Sequence, residues 1–289
     1  MKQIFKTTVL LGLLTSIFLM IGYAVAGQRG LYYAFGLSLL TNAASYWFSD
    51  KLVLKMQGAR AVDRSEAPDL YAIVEELAAK DNVPMPKVYV VDSAVPNAFA
   101  TGRSPNHAAV AANTGILDIL THDELKGVLA HELSHVKNRD ILISTIAATT
   151  AGAISLVAQM AYYGGAIFGG GGNSDNGRRS SPIGSLAMMI IAPLSATLIQ
   201  LSISRSREFA ADESGARLLG DGEPLARALA KLRDFKEGHV ITASPADQTT
   251  AHLMFVNMFS GSSVLSGLFS THPDINERIK RLERLQQLK

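Results

Sequence analysis

His131-Glu132-Leu133-Ser134-His135 is the stretch on which the fold turns. On a helix, His131 and His135 stand four residues apart and project from one face. Two imidazoles so placed can share one tetrahedral zinc ion. Glu132 points about a quarter-turn away, where its carboxylate can take a proton from a water near that metal. The surroundings read as helix. Thr121 and Glu124 make a capping box, and Leu125, Val128, Leu129 and Val136 keep helical apolar spacing. The alternative is a surface helix with two solvated histidines, so a third ligand decides.

Glu208 is the candidate third ligand. It lies far along the chain, and topology rather than proximity has to bring it close. Residues 141–174 and 180–204 carry no charge. This pair either crosses a bilayer twice or forms a buried helical hairpin. In both cases it enters and leaves on one face, which returns Asp140 and Arg205 to one surface. Asp212, one turn after Glu208, shares its helical face and can accept a hydrogen bond from the far nitrogen of a liganding histidine. The competing reading puts Glu208 and Asp212 in ion pairs with Arg205 and Arg207.

Composition narrows the class. Of 289 residues 48% are hydrophobic and only 18% charged, below the usual ~25% of soluble domains, which points to membrane spans. The formal net charge is only +2, so nothing suggests a nucleic-acid partner. There is no cysteine, which removes disulfides, thiolate metal sites and cysteine nucleophiles. Any metal must be held by His, Asp or Glu.

Residues 7–28 and 30–49 are apolar, uncharged and of the ~20-residue length that spans a bilayer. Lys2 and Lys6 ahead of a run that ends near Ala24-Val25-Ala26 also suggest a cleavable leader. That run is longer than a leader's apolar centre, and a second one follows at once. Lys51, Lys55, Arg60 and Arg64 follow the second run and only Arg29 lies between the two. The positive-inside rule therefore puts residues 50–140 in the cytoplasm. Arg178 and Arg179 argue mildly against two further clean crossings.

Between these landmarks, residues 67–80 read as an amphipathic helix with Leu70, Ile73, Val74 and Leu77 on one side. Residues 87–91 read as a short strand, 96–102 as a turn-rich loop and 107–112 as a second strand. Residues 224–235 read as a helix packing Leu225, Leu229 and Leu232. Residues 239–270 read as short helices and loop. Residues 274–289 form a basic amphipathic helix with Ile275, Ile279, Leu282 and Leu285, whose basic face meets water or lipid.

HELSHVKNRD at 131–140, SREFAADESGA at 206–216, PNAFATG at 96–102 and THP at 271–273 together resemble the HtpX family of bacterial membrane zinc proteases. That family sits in the gluzincin group with the Ste24-type prenyl-protein proteases. The resemblance covers essentially the whole chain. It implies a mainly α protein with a small β-sheet, multi-pass in the membrane, with a zincin-like metallopeptidase domain. Residues 1–55 would be two N-terminal transmembrane helices and 56–140 the first part of the cytoplasmic domain. Residues 141–204 would be a hydrophobic hairpin, the third and fourth spans, and 205–289 the second part of the domain.

The resemblance implies one Zn2+ per chain on His131, His135 and Glu208, with Glu132 as base. It implies quality control in the bacterial inner membrane under stress, with misfolded or damaged membrane proteins as substrates. Membrane protease or chaperone partners would go with that role. His272 is the candidate further donor to the developing oxyanion, by the same resemblance; a packing or capping histidine is the alternative. Asn97 is a candidate contact to the substrate backbone, or simply a turn residue. The strand with His107, Ala109 and Ala111 is a candidate for pairing with an extended substrate. A non-catalytic membrane scaffold with a structural metal is the competing function. A transporter is disfavoured, because the apolar runs lack buried charges.

Overall fold

The computed structural model describes residues 2–142, 145–146, 205–241, 254–256, 258 and 273–286. Helix α1 (Lys2–Met56) carries both N-terminal apolar runs. A straight helix rises 1.5 Å per residue, so its residues 11 and 42 would stand on the order of 45 Å apart. Instead, Asn42 Nδ2 donates to Thr15 Oγ1 at 2.9 Å and to Leu11 O at 3.5 Å. The segment therefore doubles back. The reversal falls at Gly27, whose φ of +56° is left-handed backbone that glycine adopts without a Cβ clash. Among the described residues, no helix is long and apolar enough to cross a membrane. Most of the expected third and fourth spans, 147–204, lie outside the described residues.

A four-stranded sheet follows, with β1 (Arg60–Ala61), β2 (Lys87–Val91), β3 (Ala98–Gly102) and β4 (Ala108–Asn113) in the order β1-β2-β4-β3. Strand β2 runs parallel to β4, and β3 runs antiparallel to it. Helix α2 (Pro68–Lys80) buries Leu70, Ile73, Val74, Leu77 and Ala78, the face expected from its spacing. A short helix α3 (Thr114–Ile119) leads into α4 (His122–Lys137). Beyond the insertion come α5 (Arg205–Leu219), α6 (Glu223–Gly238) and α7 (Ile275–Gln286). One apolar core joins α2, the sheet, α4, α6 and α7.

Two expectations about the sheet are corrected. Residues 98–102 are strand, not loop. Pro96, Asn97 and Gly102 carry turn chemistry, but all five residues of β3 are buried and paired with β4. Pairing with a distant strand overrides that local signal. The second correction concerns strand addition. His107 closes a 3-10 turn (Pro105–His107) and is exposed, and β4 starts at Ala108. A strand has two edges, and β4 spends them on β2 and β3. It has no edge left for a substrate. Ala109 and Ala111 are buried against Val53, Leu54 and Phe99.

Candidate metal centre

Helix α4 starts where the sequence says. Thr121 Oγ1 accepts from Glu124 N at 3.4 Å, and Glu124 Oε2 accepts from Thr121 N at 2.8 Å. Lys231 on α6 adds a 2.7 Å bond to the same carboxylate oxygen. Burial pushes the Glu124 carboxyl up, but the bonds to Lys231 and Thr121 outweigh it and hold it below the usual range. A carboxyl with a depressed folded pKa stabilises above its unfolded pKa and loses that contribution as pH falls through the folded value. Lys231→Met should therefore cost about 1 kcal/mol at pH 7, and the deficit against wild type should shrink as the solution is acidified towards pH 3. Denaturant melts at the two pH values check this.

Helices α4 and α5 lie in close contact, and small residues permit it. Gly215 faces the α4 backbone so tightly that a Cβ there would sit 3.0 Å from His131 N and 3.2 Å from the Ala130 carbonyl carbon. Gly215 stands two helical turns after Glu208, on the same side, so this contact sets the distance between the two halves of the site. Gly215→Ala adds helix propensity worth up to ~1 kcal/mol, but overpacking costs ~1–3 kcal/mol. We expect a net loss of stability and weaker metal binding together, read by thermal melts with and without added zinc.

The structure brings His131, His135 and Glu208 together. Their ligand atoms all lie within 4.8 Å of one another. His131 Nε2 and His135 Nε2 are 3.2 Å apart, and each lies 3.6 Å from a Glu208 oxygen. Ligands at ~2.0–2.1 Å in tetrahedral geometry sit roughly 3.3–3.4 Å from one another. The spacing thus fits one ion at bonding distance from all three, and two imidazoles with one carboxylate form a donor set that suits zinc.

Each imidazole is oriented from behind. His131 Nδ1 donates to Asp212 Oδ1 at 2.8 Å, and His135 Nδ1 donates to Asp140 Oδ2 at 3.4 Å. A carboxylate only accepts, so both Nδ1 atoms carry the hydrogen and both Nε2 atoms turn a lone pair inward. Asp140 is also 3.8 Å from Arg207 Nη1, so the two ends of the insertion meet. Without a bound metal, burial opposes a charged His131, but the interactions with Asp212 and Glu208 outweigh it and raise its pKa to about 9, so a metal has to displace the Nε2 proton before that lone pair is available. Burial likewise opposes the Asp212 charge, yet the Arg278 guanidinium pulls its pKa down to about 2.

Glu132 is buried, and its Oε2 accepts from Ala100 N on β3 at 2.9 Å. Burial pushes its carboxyl up, and the neighbouring histidines pull the other way. Ala100 therefore turns its N–H away from β4, and the outer edge of β3 lines the site. Asn97 is buried and its Oδ1 accepts from Phe255 N at 2.9 Å, tying a distant segment to the start of β3. His107 sits at the surface with Nδ1 3.1 Å from Ser104 Oγ. His272 lies outside the described residues.

Sequence reasoning missed Asp140, Phe255 and Arg278 as neighbours of the site. Phe255 sets its ring edge to face with His131, centroids 5.0 Å apart. Arg278 did leave a signal. It falls inside the apolar stripe of α7, between Ile275 and Leu282, where a charge needs a buried partner.

Such a site on such a scaffold defines the class of metallopeptidases. The chain belongs to peptidase family M48, whose model matches residues 64–286. A protease HtpX homolog of Sulfurihydrogenibium sp. is 54% identical over 97% of this chain and 95% of its own length. Another, from Methylibium petroleiphilum, is 51% identical over 98% and 97%. Among solved structures, Ste24p of S. mikatae aligns over 97% of this chain and 65% of that one, with 19% identity and a TM-score of 0.49.

Proposed function

We propose that this protein is a zinc-dependent endopeptidase of the bacterial inner membrane that cleaves misfolded or damaged membrane proteins. The observation that carries the reading is the 3.2–3.6 Å triangle of His131 Nε2, His135 Nε2 and the Glu208 carboxylate. These three side chains hold the metal, with Asp212 orienting His131. Bound zinc supplies Lewis acidity and lowers the pKa of a coordinated water to about 7.

The chain's own groups do the rest. Glu132 Oε2 is fixed by the Ala100 amide, which leaves Oε1 to receive the proton of the attacking water and deliver it to the leaving amine. His272 remains the proposed further donor to the oxyanion. Asn97 contributes through the Phe255 segment that it holds.

Lipid contact is supported by α1, which exposes Tyr32, Tyr33, Leu40, Trp47 and Phe48. Aromatic and apolar side chains on one helical hairpin suit a bilayer better than water. The distribution of Lys and Arg supports a metal site on the cytoplasmic side. Unfolded polypeptides are the expected partners, beside membrane proteases or chaperones.

The competing reading, a scaffold with a structural metal, calls for four protein ligands. Three ligand atoms meet here among the described residues. Metal analysis of the purified protein with a casein-type cleavage assay separates the two. The protease reading expects one zinc per chain and cleavage that a chelator stops and zinc restores. Bound zinc without cleavage of any unfolded protein favours the scaffold.

A further inference from the structure

We propose that Arg278 is a positioning residue of the metal site and that it acts on His131 through Asp212. The inference rests on the zinc reading above. Arg278 lies on α7, 66 residues beyond Asp212, yet its side chain is completely buried, at 0% exposure. Its guanidinium grips both oxygens of Asp212, Nε to Oδ2 at 2.9 Å and Nη2 to Oδ1 at 2.7 Å. Nη1 donates to Phe255 O at 3.3 Å, and the guanidinium stacks 4.8 Å from the Phe255 ring.

Asp212 Oδ1 is therefore shared. It accepts from Arg278 on one side and from His131 Nδ1 on the other. Arg278 Nη2 also lies 3.4 Å from His131 Nδ1, but both atoms carry hydrogen, so they meet as two donors on one oxygen rather than as a bond.

The chemistry explains why an arginine stands there. Burying a cation costs several kcal/mol unless a partner compensates. At this position on the apolar stripe of α7, a leucine would pack without that cost. What arginine adds is a planar fork that fixes a carboxylate in direction and in plane. The outer torsion of an aspartate is broad, so partners decide where its oxygens point. With the fork in place, Oδ1 is aimed at His131 Nδ1, the ring cannot turn, and Nε2 stays directed at Glu208 and His135. Phe255, held by Asn97 and Arg278, backs the same ring. Docking of the C-terminal helix and the readiness of the metal site are thus one event.

The test is zinc affinity, by competition with a chelator, in the full-length protein and its Arg278→Met, Arg278→Lys, Asp212→Asn and Arg278→Met/Asp212→Asn variants. Partners behind a metal ligand are worth ~10–100-fold in affinity, so Arg278→Met should lose that much. Arg278→Lys keeps the charge but not the fork, and should fall nearer to Met than to wild type. The double variant should bind no more weakly than the worse single, because both substitutions break one linkage. A merely structural role would make the two losses multiply, and that result overturns the proposal. So does wild-type affinity in Arg278→Met. If that variant does not fold, the lysine variant alone and with Asp212→Asn carries the same comparison. Wild-type protein that holds no zinc overturns the metal reading itself, and this inference with it.

Discussion

Glu132→Gln should keep one zinc per chain and lose proteolysis by a factor of about 10²–10⁴, the contribution of a positioned general base. The substitution is nearly isosteric. Its amide oxygen can still accept from Ala100 N, so the bond that orients the side chain survives. What disappears is basicity. Glu132 does not belong to the His131, His135 and Glu208 triangle, so metal content is a clean control. The side chain is buried between β3 and α4, so bulk water has little access to replace it. Zinc content and casein-type cleavage measured on one sample check both halves. Cleavage at the wild-type rate would remove Glu132 from the mechanism.

Glu208→Ala should release the metal. Two imidazoles remain, 3.2 Å apart on one helix, and no described carboxylate replaces the third ligand. The loss should exceed the ~10–100-fold seen when only a partner behind a ligand is removed. Stability follows from linkage, since a ligand that binds only the folded state stabilises by ~2.7 kcal/mol at a hundred times its dissociation constant. Zinc should therefore raise the melting temperature of the wild-type protein and leave that of the variant unmoved. An unchanged zinc content in Glu208→Ala would mean that another residue completes the site.

Much of α4 was legible in the sequence because its signals are local. The capping box at Thr121 and Glu124, the apolar spacing through Val136 and the His-Glu-Leu-Ser-His run all lie within one helix. The buried face of α2 and the bounds of β2 were legible for the same reason. Glu208 was reachable only by an argument about how a long apolar insertion must return, and the 3.8 Å approach of Arg207 to Asp140 is consistent with it.

β3 could not be read, because five small or apolar residues beside turn formers become a strand only against β4. The same holds for the fate of β4, since an edge is a property of the whole sheet.

The sequence by itself determined the chemistry on offer: two imidazoles and a base on one helix, a distant carboxylate, no thiol, and apolar runs long enough for a bilayer. The tertiary structure decided which further groups stand behind them. Asp212 is expected there from its place one turn after Glu208, but Asp140, Arg278 and Phe255 join it only in the folded chain. The physical reason is range. Helical periodicity and capping act over a few residues, whereas the orientation of a metal-binding ring depends on hydrogen bonds and packing that only the folded chain assembles.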